Sequence, residues 1–237
     1  MLRPVFRSIG ILVLLAGCSR NAKGPPPRFA LRSARETGVA FTNTITITDS
    51  LNAATDPYVY NGAGVGVGDI DNDGKPDIFF AGNQVSSRLY LNKGDMRFED
   101  ITASAGVTTH CWATGVTLVD INQDGWLDIY VSCSGPDWSK PADRANLLFI
   151  NNHDRTFTEQ AAKYGIADGG FTTHAVFLDY DGDGDLDLFL LNNSPTDFAR
   201  GQLAFLPAGA RGSTPESYNA LYRNNGNGTF KIGRAHV

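Results

Sequence analysis

Asp179-Tyr180-Asp181-Gly182-Asp183-Gly184-Asp185-Leu186-Asp187, preceded by Ala175-Val176-Phe177-Leu178 and followed by Leu188-Phe189-Leu190, decides the fold of this chain. An apolar run enters an Asp/Gly turn and a second apolar run leaves it, which reads as a hairpin with an acidic tip. The phrase occurs twice upstream, as Asp69-Ile70-Asp71-Asn72-Asp73-Gly74-Lys75-Pro76-Asp77 and as Asp120-Ile121-Asn122-Gln123-Asp124-Gly125-Trp126-Leu127-Asp128. A second module also recurs three times: Leu89-Tyr90-Leu91-Asn92 to Phe98, Leu148-Phe149-Ile150-Asn151 to Phe157, and Leu221-Tyr222-Arg223-Asn224 to Phe230. The spacing from Asn92 to Asp120 and from Asn151 to Asp179 is 28 residues in both cases. Each unit therefore reads as four short strands. The first precedes the Asp loop, the second follows it, the third is the Leu-aromatic segment and the fourth starts at the Phe. Phe29 with Gly38-Val39 is a looser, earlier copy. Four-stranded units repeated in constant register predict an all-β fold, a partial β-propeller, in preference to a sandwich.

Composition agrees. Of 25 acidic residues, 21 are Asp and 4 are Glu, and Gly numbers 26, a balance that disfavours a mostly helical protein. The net charge of -5 argues against a nucleic-acid partner. Twelve of the 21 Asp lie in the three loops. Carboxylates so crowded repel one another unless a cation sits among them. Oxygen-only donors, with Gly at position six for the sharp turn, specify Ca²⁺ rather than zinc or copper. The expected ligands are Asp69, Asp71, Asp73, Lys75 and Asp77; Asp120, Asn122, Asp124, Trp126 and Asp128; and Asp179, Asp181, Asp183, Asp185 and Asp187. Position seven (Lys75, Trp126, Asp185) is expected to offer its backbone carbonyl alone. An EF-hand is rejected, because its acidic position twelve is here Phe80, Val131 or Leu190 and a strand pattern follows where a helix should begin.

These loops resemble the FG-GAP/VCBS repeats, the calcium-loop blades of integrin α-subunits. The words Asn61-Gly62-Ala63-Gly64-Val65-Gly66-Val67-Gly68-Asp69, Leu89-Tyr90-Leu91-Asn92-Lys93-Gly94-Asp95 and Phe98-Glu99-Asp100-Ile101-Thr102 are similar to bacterial cartilage-acidic-protein-like proteins with a C-terminal ASPIC/UnbV domain. The resemblance, over residues 29–230, implies a seven-bladed propeller of which three to four blades are present.

The ends carry separate signals. Arg3, Arg7 and the apolar run Ile9–Leu15 precede Leu15-Ala16-Gly17-Cys18, which reads as a lipoprotein signal peptide over residues 1–17. Cys18 would carry the lipid and residues 18–28 would form a flexible tether. Ser19, where Asp would signal inner-membrane retention, favours the bacterial outer membrane. The last residues, Ile232-Gly233-Arg234-Ala235-His236-Val237, match the translation of a sequencing adapter, so residues 231–237 are expected to be a non-native tail on an N-terminal fragment.

Other residues are read conservatively. Export would permit a disulfide between Cys111 and Cys133, but counting from the loop places them out of cross-strand register, so buried free thiols are the expectation over that alternative. His110, His153 and His174 are expected to be surface or packing residues, and Phe79, Tyr130 and Phe189 core residues. The variable inserts 82–88, 134–146 and 192–220, with residues 40–60, should share the face opposite the Asp loops and meet a protein or glycan partner there, Trp138 and Phe198 being candidate contacts. The functional expectation is a calcium-binding, lipid-anchored binding or adhesion propeller. The alternative is the propeller part of a polysaccharide- or lipid-acting enzyme whose catalytic residues lie outside this sequence.

Overall fold

The computed structural model describes residues 29–56, 58–136, 139–193 and 218–234. The expected signal peptide, Cys18, Trp138, Phe198 and the last three residues lie outside these. No helix among the described residues is long and apolar enough to cross a membrane.

Among the described residues, twelve strands form three four-stranded antiparallel sheets in simple chain order, a propeller-like all-β arrangement. The first sheet holds β1 (Val65–Gly68), β2 (Asp77–Phe80), β3 (Arg88–Gly94) and β4 (Arg97–Asp100). The second holds β5 (Trp112–Val119), β6 (Asp128–Ser134), β7 (Leu147–Asn151) and β8 (Phe157–Glu159). The third holds β9 (Thr172–Leu178), β10 (Asp187–Asn192), β11 (Ala220–Asn224) and β12 (Phe230–Arg234). These are the strands that the two recurring modules predict, each Asp loop joining the first strand of a sheet to the second. β12 takes in residues 230–234, so part of the expected tail pairs with β11 through its main chain. Main-chain pairing accepts nearly any side chain on an edge strand and has no bearing on the origin of that segment.

The looser copy at Phe29 forms no fourth sheet among the described residues. It forms α1 (Ala34–Thr37), a single turn capped by Ser33 and ended by Gly38. Two such turns, which the strand reading lacked, recur after the fourth strands: α2 (Thr102–Ala105) and α3 (Ala161–Tyr164), ended by Gly106 and Gly165. All three terminal glycines have positive φ. Gly38 is further constrained, because a Cβ there would come within 2.2 Å of the Phe98 carbonyl oxygen.

Alternation builds the core. In the second sheet Ile129, Val131 and Phe149 face the first sheet, where they meet Phe79, Leu89 and Leu91. Tyr130, Leu148 and Ile150 face the third, where they meet Leu188, Leu190 and Tyr222. β6 is buried along its whole length for that reason. The Tyr130 hydroxyl donates to the Ile166 carbonyl at 2.9 Å, satisfying its one buried polar group. Phe79 and Tyr130 are core residues as expected, and Phe189 is half-buried. The outer faces of the first and third sheets leave Val65, Val67, Val176, Leu178 and Leu191 exposed.

The first strands of the sheets lie side by side. A Cβ on Gly64 would sit 2.9 Å from the Val116 nitrogen, and one on Gly115 2.9 Å from the Thr173 oxygen. His174, the repeat equivalent of these glycines, is exposed and lies over Gly115.

Cys111 and Cys133 form a disulfide with Cα atoms 5.9 Å apart, which corrects the expectation of free thiols. The β5–β6 register shifts by one residue between Ala113 and Gly115, so Cys133 faces Ala113. Counted without that bulge, Cys133 would face Thr114 and Cys111 would point to the opposite side. The bulge restores the parity and brings the thiols together on one face. Cross-linking residues 22 apart should add about 3 kcal/mol by restricting the unfolded chain. Reduction is expected to lower the urea midpoint accordingly, and equal midpoints for oxidised and reduced protein would refute this.

Candidate metal centres

Each loop is held by the same internal hydrogen bonds, which follow from an Asp side chain's ability to accept from backbone N–H groups a few residues on. At position one, Asp69 accepts from Asp73 N and Gly74 N at 3.1 and 2.7 Å. Asp120 accepts from Asp124 N and Gly125 N at 3.0 and 2.8 Å. Asp179 accepts from Asp183 N and Gly184 N, both at 3.1 Å. At position five, Asp73, Asp124 and Asp183 each accept from the N–H of position seven, at 2.9, 2.9 and 3.0 Å. Position six is Gly with φ of 85°, 86° and 95°, a left-handed turn that a β-carbon would disfavour.

Position nine works differently. Asp77, Asp128 and Asp187 are buried, and both oxygens of each are engaged. One oxygen accepts from the position-two N–H: Ile70 at 3.0 Å, Ile121 at 3.1 Å, Tyr180 at 3.1 Å. The other accepts from the Asn that ends the Leu-aromatic module: Asn92 at 2.7 Å, Asn151 at 2.8 Å, Asn224 at 2.8 Å. The same Asn returns a side-chain bond to the carbonyl of position eight (Pro76, Leu127, Leu186) at 2.8, 3.1 and 3.1 Å. These three Asn residues were visible as a repeat in the sequence, but their role was not. They lock the third strand of each sheet under its Asp loop.

In the first loop one carboxylate oxygen from each of Asp69, Asp71 and Asp77 lies within 4.8 Å of the others, and Asp179, Asp181 and Asp187 do the same in the third. In the second loop Asn122 takes the place of the acid, and its amide donates to Asp124 Oδ2 at 2.8 Å. The position-seven side chains turn to other partners. Lys75 Nζ contacts Asp73 Oδ2 at 2.6 Å, Trp126 stacks on His153 with ring centres 4.8 Å apart, and Asp185 Oδ1 accepts from Gln123 at 3.3 Å.

The loops also engage residues beyond the expected ligands. Arg155, in the turn after β7, donates to Asp71 of the first loop at 2.9 Å, and Arg223 pairs with Asp181 at 3.1 Å. His153, expected only as a surface or packing residue, contacts Asp124 at 2.9 Å. Neighbouring loops are tied to each other: the position-four amides of Asn72 and Gln123 donate to the position-six carbonyls of Gly125 and Gly184, at 3.1 and 2.9 Å.

A cation fits this donor set. Asp71 has a side chain only 3% exposed, and its Oδ1 is buried without a hydrogen-bond partner. A buried carboxylate oxygen left unpaired is costly. Calcium held by Asp69, Asp71, Asp73, Asp77 and the Lys75 carbonyl, and by the equivalent groups of the other loops, would give that oxygen a partner.

Electrostatics separate the positions. Burial pushes Asp128 up to about 6 and raises Asp77, although two N–H groups oppose the shift in each. Asp73 is lowered by its hydrogen bond from Lys75. Burial also tends to raise Asp124, but bonds from His153, Trp126 and Asn122 outweigh it and lower the group. Without metal, folded Asp128 holds its proton more tightly than the unfolded chain does. Stability should therefore fall as pH rises from 3.8 to about 6, by roughly 3 kcal/mol. Urea unfolding of the calcium-free protein at pH 4.5 and 7.5 reads about 2 kcal/mol of this difference, and Asp128→Asn should remove it. Identical pH profiles for the two proteins would contradict it.

The fold and loops point to a class: residues 69–131 and 138–190 match the FG-GAP-like repeat family. Among individual proteins, the chain is 33% identical to cartilage acidic protein 1 of Xenopus tropicalis over 132 residues, 55% of this chain and 20% of that protein. It is 31% identical to the Homo sapiens protein over 132 residues, 55% of this chain and 19% of that one. The match thus spans about a fifth of the length of these relatives. A solved structure described as an Agrocybe aegerita lectin recognising non-reducing terminal N-acetylglucosamine aligns with a TM-score of 0.40 and 19% identity, over 73% of this chain and 38% of that one.

Proposed function

We propose that this protein is a calcium-stabilised propeller module that binds a protein or glycan partner at the surface of a bacterial cell, held to the outer membrane by lipid on Cys18. The observation that carries the calcium part is the threefold loop, alike in the backbone bonds to positions one, five and nine, with a buried and unpartnered carboxylate oxygen on Asp71. In this reading calcium is structural. It screens each cluster of acids and pins one hairpin per sheet, leaving the opposite ends of the strands for recognition.

The segment 40–60 supports that division of labour. Asn43 Nδ2 donates to Asn83 Oδ1 at 2.6 Å, and Gln84 Nε2 donates to the Thr46 carbonyl at 3.2 Å. Both partners belong to the first insert, at the end of β2 remote from the Asp loop. The lipobox and the disulfide, a bond favoured in oxidising compartments, support export.

Calorimetric titration of the full chain with Ca²⁺ tests the reading. Three equivalents are expected, with dissociation constants of about 10⁻⁵ to 10⁻³ M. Asp71→Ala and Asp181→Ala should each remove one. No binding, or an unchanged stoichiometry in both variants, would refute it.

A further inference from the structure

The first and third Asp loops offer a cation the same cluster of oxygens but differ in the basic side chains that reach it. In both, carboxylate oxygens from positions one, three and nine lie within 4.8 Å of one another. In the first loop two of the four acids already hold a base. Lys75 Nζ lies 2.6 Å from Asp73 Oδ2, and Arg155 Nε donates to Asp71 Oδ2 at 2.9 Å. The third loop has five acids, because position seven is Asp185 where the first loop has Lys75. There, among the described residues, one arginine serves two of the five: Arg223 Nε is 3.1 Å from Asp181 Oδ2, and a terminal nitrogen is 4.0 Å from Asp183 Oδ2.

Arg155 belongs to a different sheet from the loop it meets. It sits in the β7–β8 turn with a φ of 68°, four residues after Asn151. The same place in the other two hairpins, four residues after Asn92 and Asn224, is Met96 and Gly228, both also with positive φ. Of the three sheets, the second alone puts a cation at this turn position. Asn151 anchors the turn, its Nδ2 donating to the Ile70 carbonyl, next to Asp71, at 2.8 Å. The guanidinium is thus delivered to the first loop by the packing of two sheets.

Arg155 does not fill the loop. It takes Asp71 Oδ2 and leaves Oδ1, which is buried without a hydrogen-bond partner on a side chain only 3% exposed. The arginine itself is 54% exposed, so water weakens its hold. A divalent ion can enter beside it, but against repulsion from a guanidinium and an ammonium. The third loop opposes the ion with one arginine and draws it with one more acid. Ligand charge tunes calcium affinity in loops of oxygen donors. We propose that Arg155 and Lys75 are resident counter-cations that make the first loop the weaker calcium site, filled after the third. This rests on the calcium reading above and sets the order of filling within it. At low calcium the loop between the first two sheets is held by Arg155, and at high calcium by the metal.

Nitrogen–proton correlation NMR on the full chain, titrated with calcium, follows the position-six amides of Gly74 and Gly184 separately. The Gly74 midpoint is expected at about tenfold higher calcium than that of Gly184. Arg155→Gln should lower the Gly74 midpoint by about three- to tenfold and leave Gly184 in place. Arg155→Lys keeps the charge and should leave both midpoints within about twofold. Lys75→Gln, at a side chain 45% exposed, should also lower the Gly74 midpoint and does not touch the contact between sheets, so it serves even if Arg155→Gln fails to fold.

Equal midpoints, a first loop that fills before the third, a Gly74 midpoint that neither Gln substitution lowers, or an Arg155→Lys midpoint as low as that of Arg155→Gln would each overturn the assignment while leaving calcium binding intact. If neither amide responds to calcium, the calcium reading fails and this inference fails with it.

Discussion

Chelating divalent cations with EGTA is expected to lower the melting temperature of this protein by about 15–25 °C. For a dissociation constant near 10⁻⁴ M and about 5 mM calcium, each occupied site adds roughly 2 kcal/mol to stability. Three sites add up to roughly 7 kcal/mol, and a chain of this size moves by about 2–4 °C per kcal/mol. The effect is large because the loops concentrate like charge: twelve Asp in three short turns, with Lys75, Arg155, Arg223 and His153 as basic contacts among the described residues. Magnesium should restore less of the loss, since it demands a tighter octahedral shell than these loops supply. Scanning calorimetry in calcium, magnesium and EGTA reads the result directly. A melting temperature insensitive to EGTA would remove calcium from the account of this fold.

Asp128→Ala should destabilise the protein by roughly 4 kcal/mol even in EGTA, before any loss of calcium binding is added. Its carboxylate is the acceptor for the Ile121 and Asn151 N–H groups, so removing it leaves two donors unpaired, each costing about 1–3 kcal/mol. It also opens a void beneath the loop. Asp124, four residues earlier, is exposed, and its contacts with His153 and Trp126 face water. Asp124→Ala should therefore cost about 1 kcal/mol or less in EGTA, and its harm should appear only as weaker calcium binding. Urea denaturation of both variants in EGTA separates a carboxylate that builds the loop from one that serves the cation. Equal losses for the two would show that position nine has no structural role of its own.

The sequence made the hairpins legible because their causes are local. Asp69, Asp120 and Asp179 bond to N–H groups four and five residues on, and Gly74, Gly125 and Gly184 turn the chain where a side chain would strain it. A pattern repeated three times at fixed spacing exposes such relations without any knowledge of the rest of the molecule. The pairing of Cys111 with Cys133 was misjudged for a related reason. Residue counting assumes an unbroken register, and one extra residue near Thr114 reverses which side of β5 each side chain takes.

The sequence by itself determined the strand order within each sheet and the three Asp loops, which follow from patterns repeated along the chain. The tertiary structure alone decided which distant groups complete them. It brings Arg155 to Asp71 across 84 residues, joins Asn72 to Gly125 across 53, and sets Asn193 against Tyr58 across 135. Those contacts arise from how the sheets stack. Stacking is set by interlocking side chains such as Ile129 with Phe79, and by the close approach at Gly64 and Gly115. Packing of that kind depends on shape in three dimensions, which no period along the chain records.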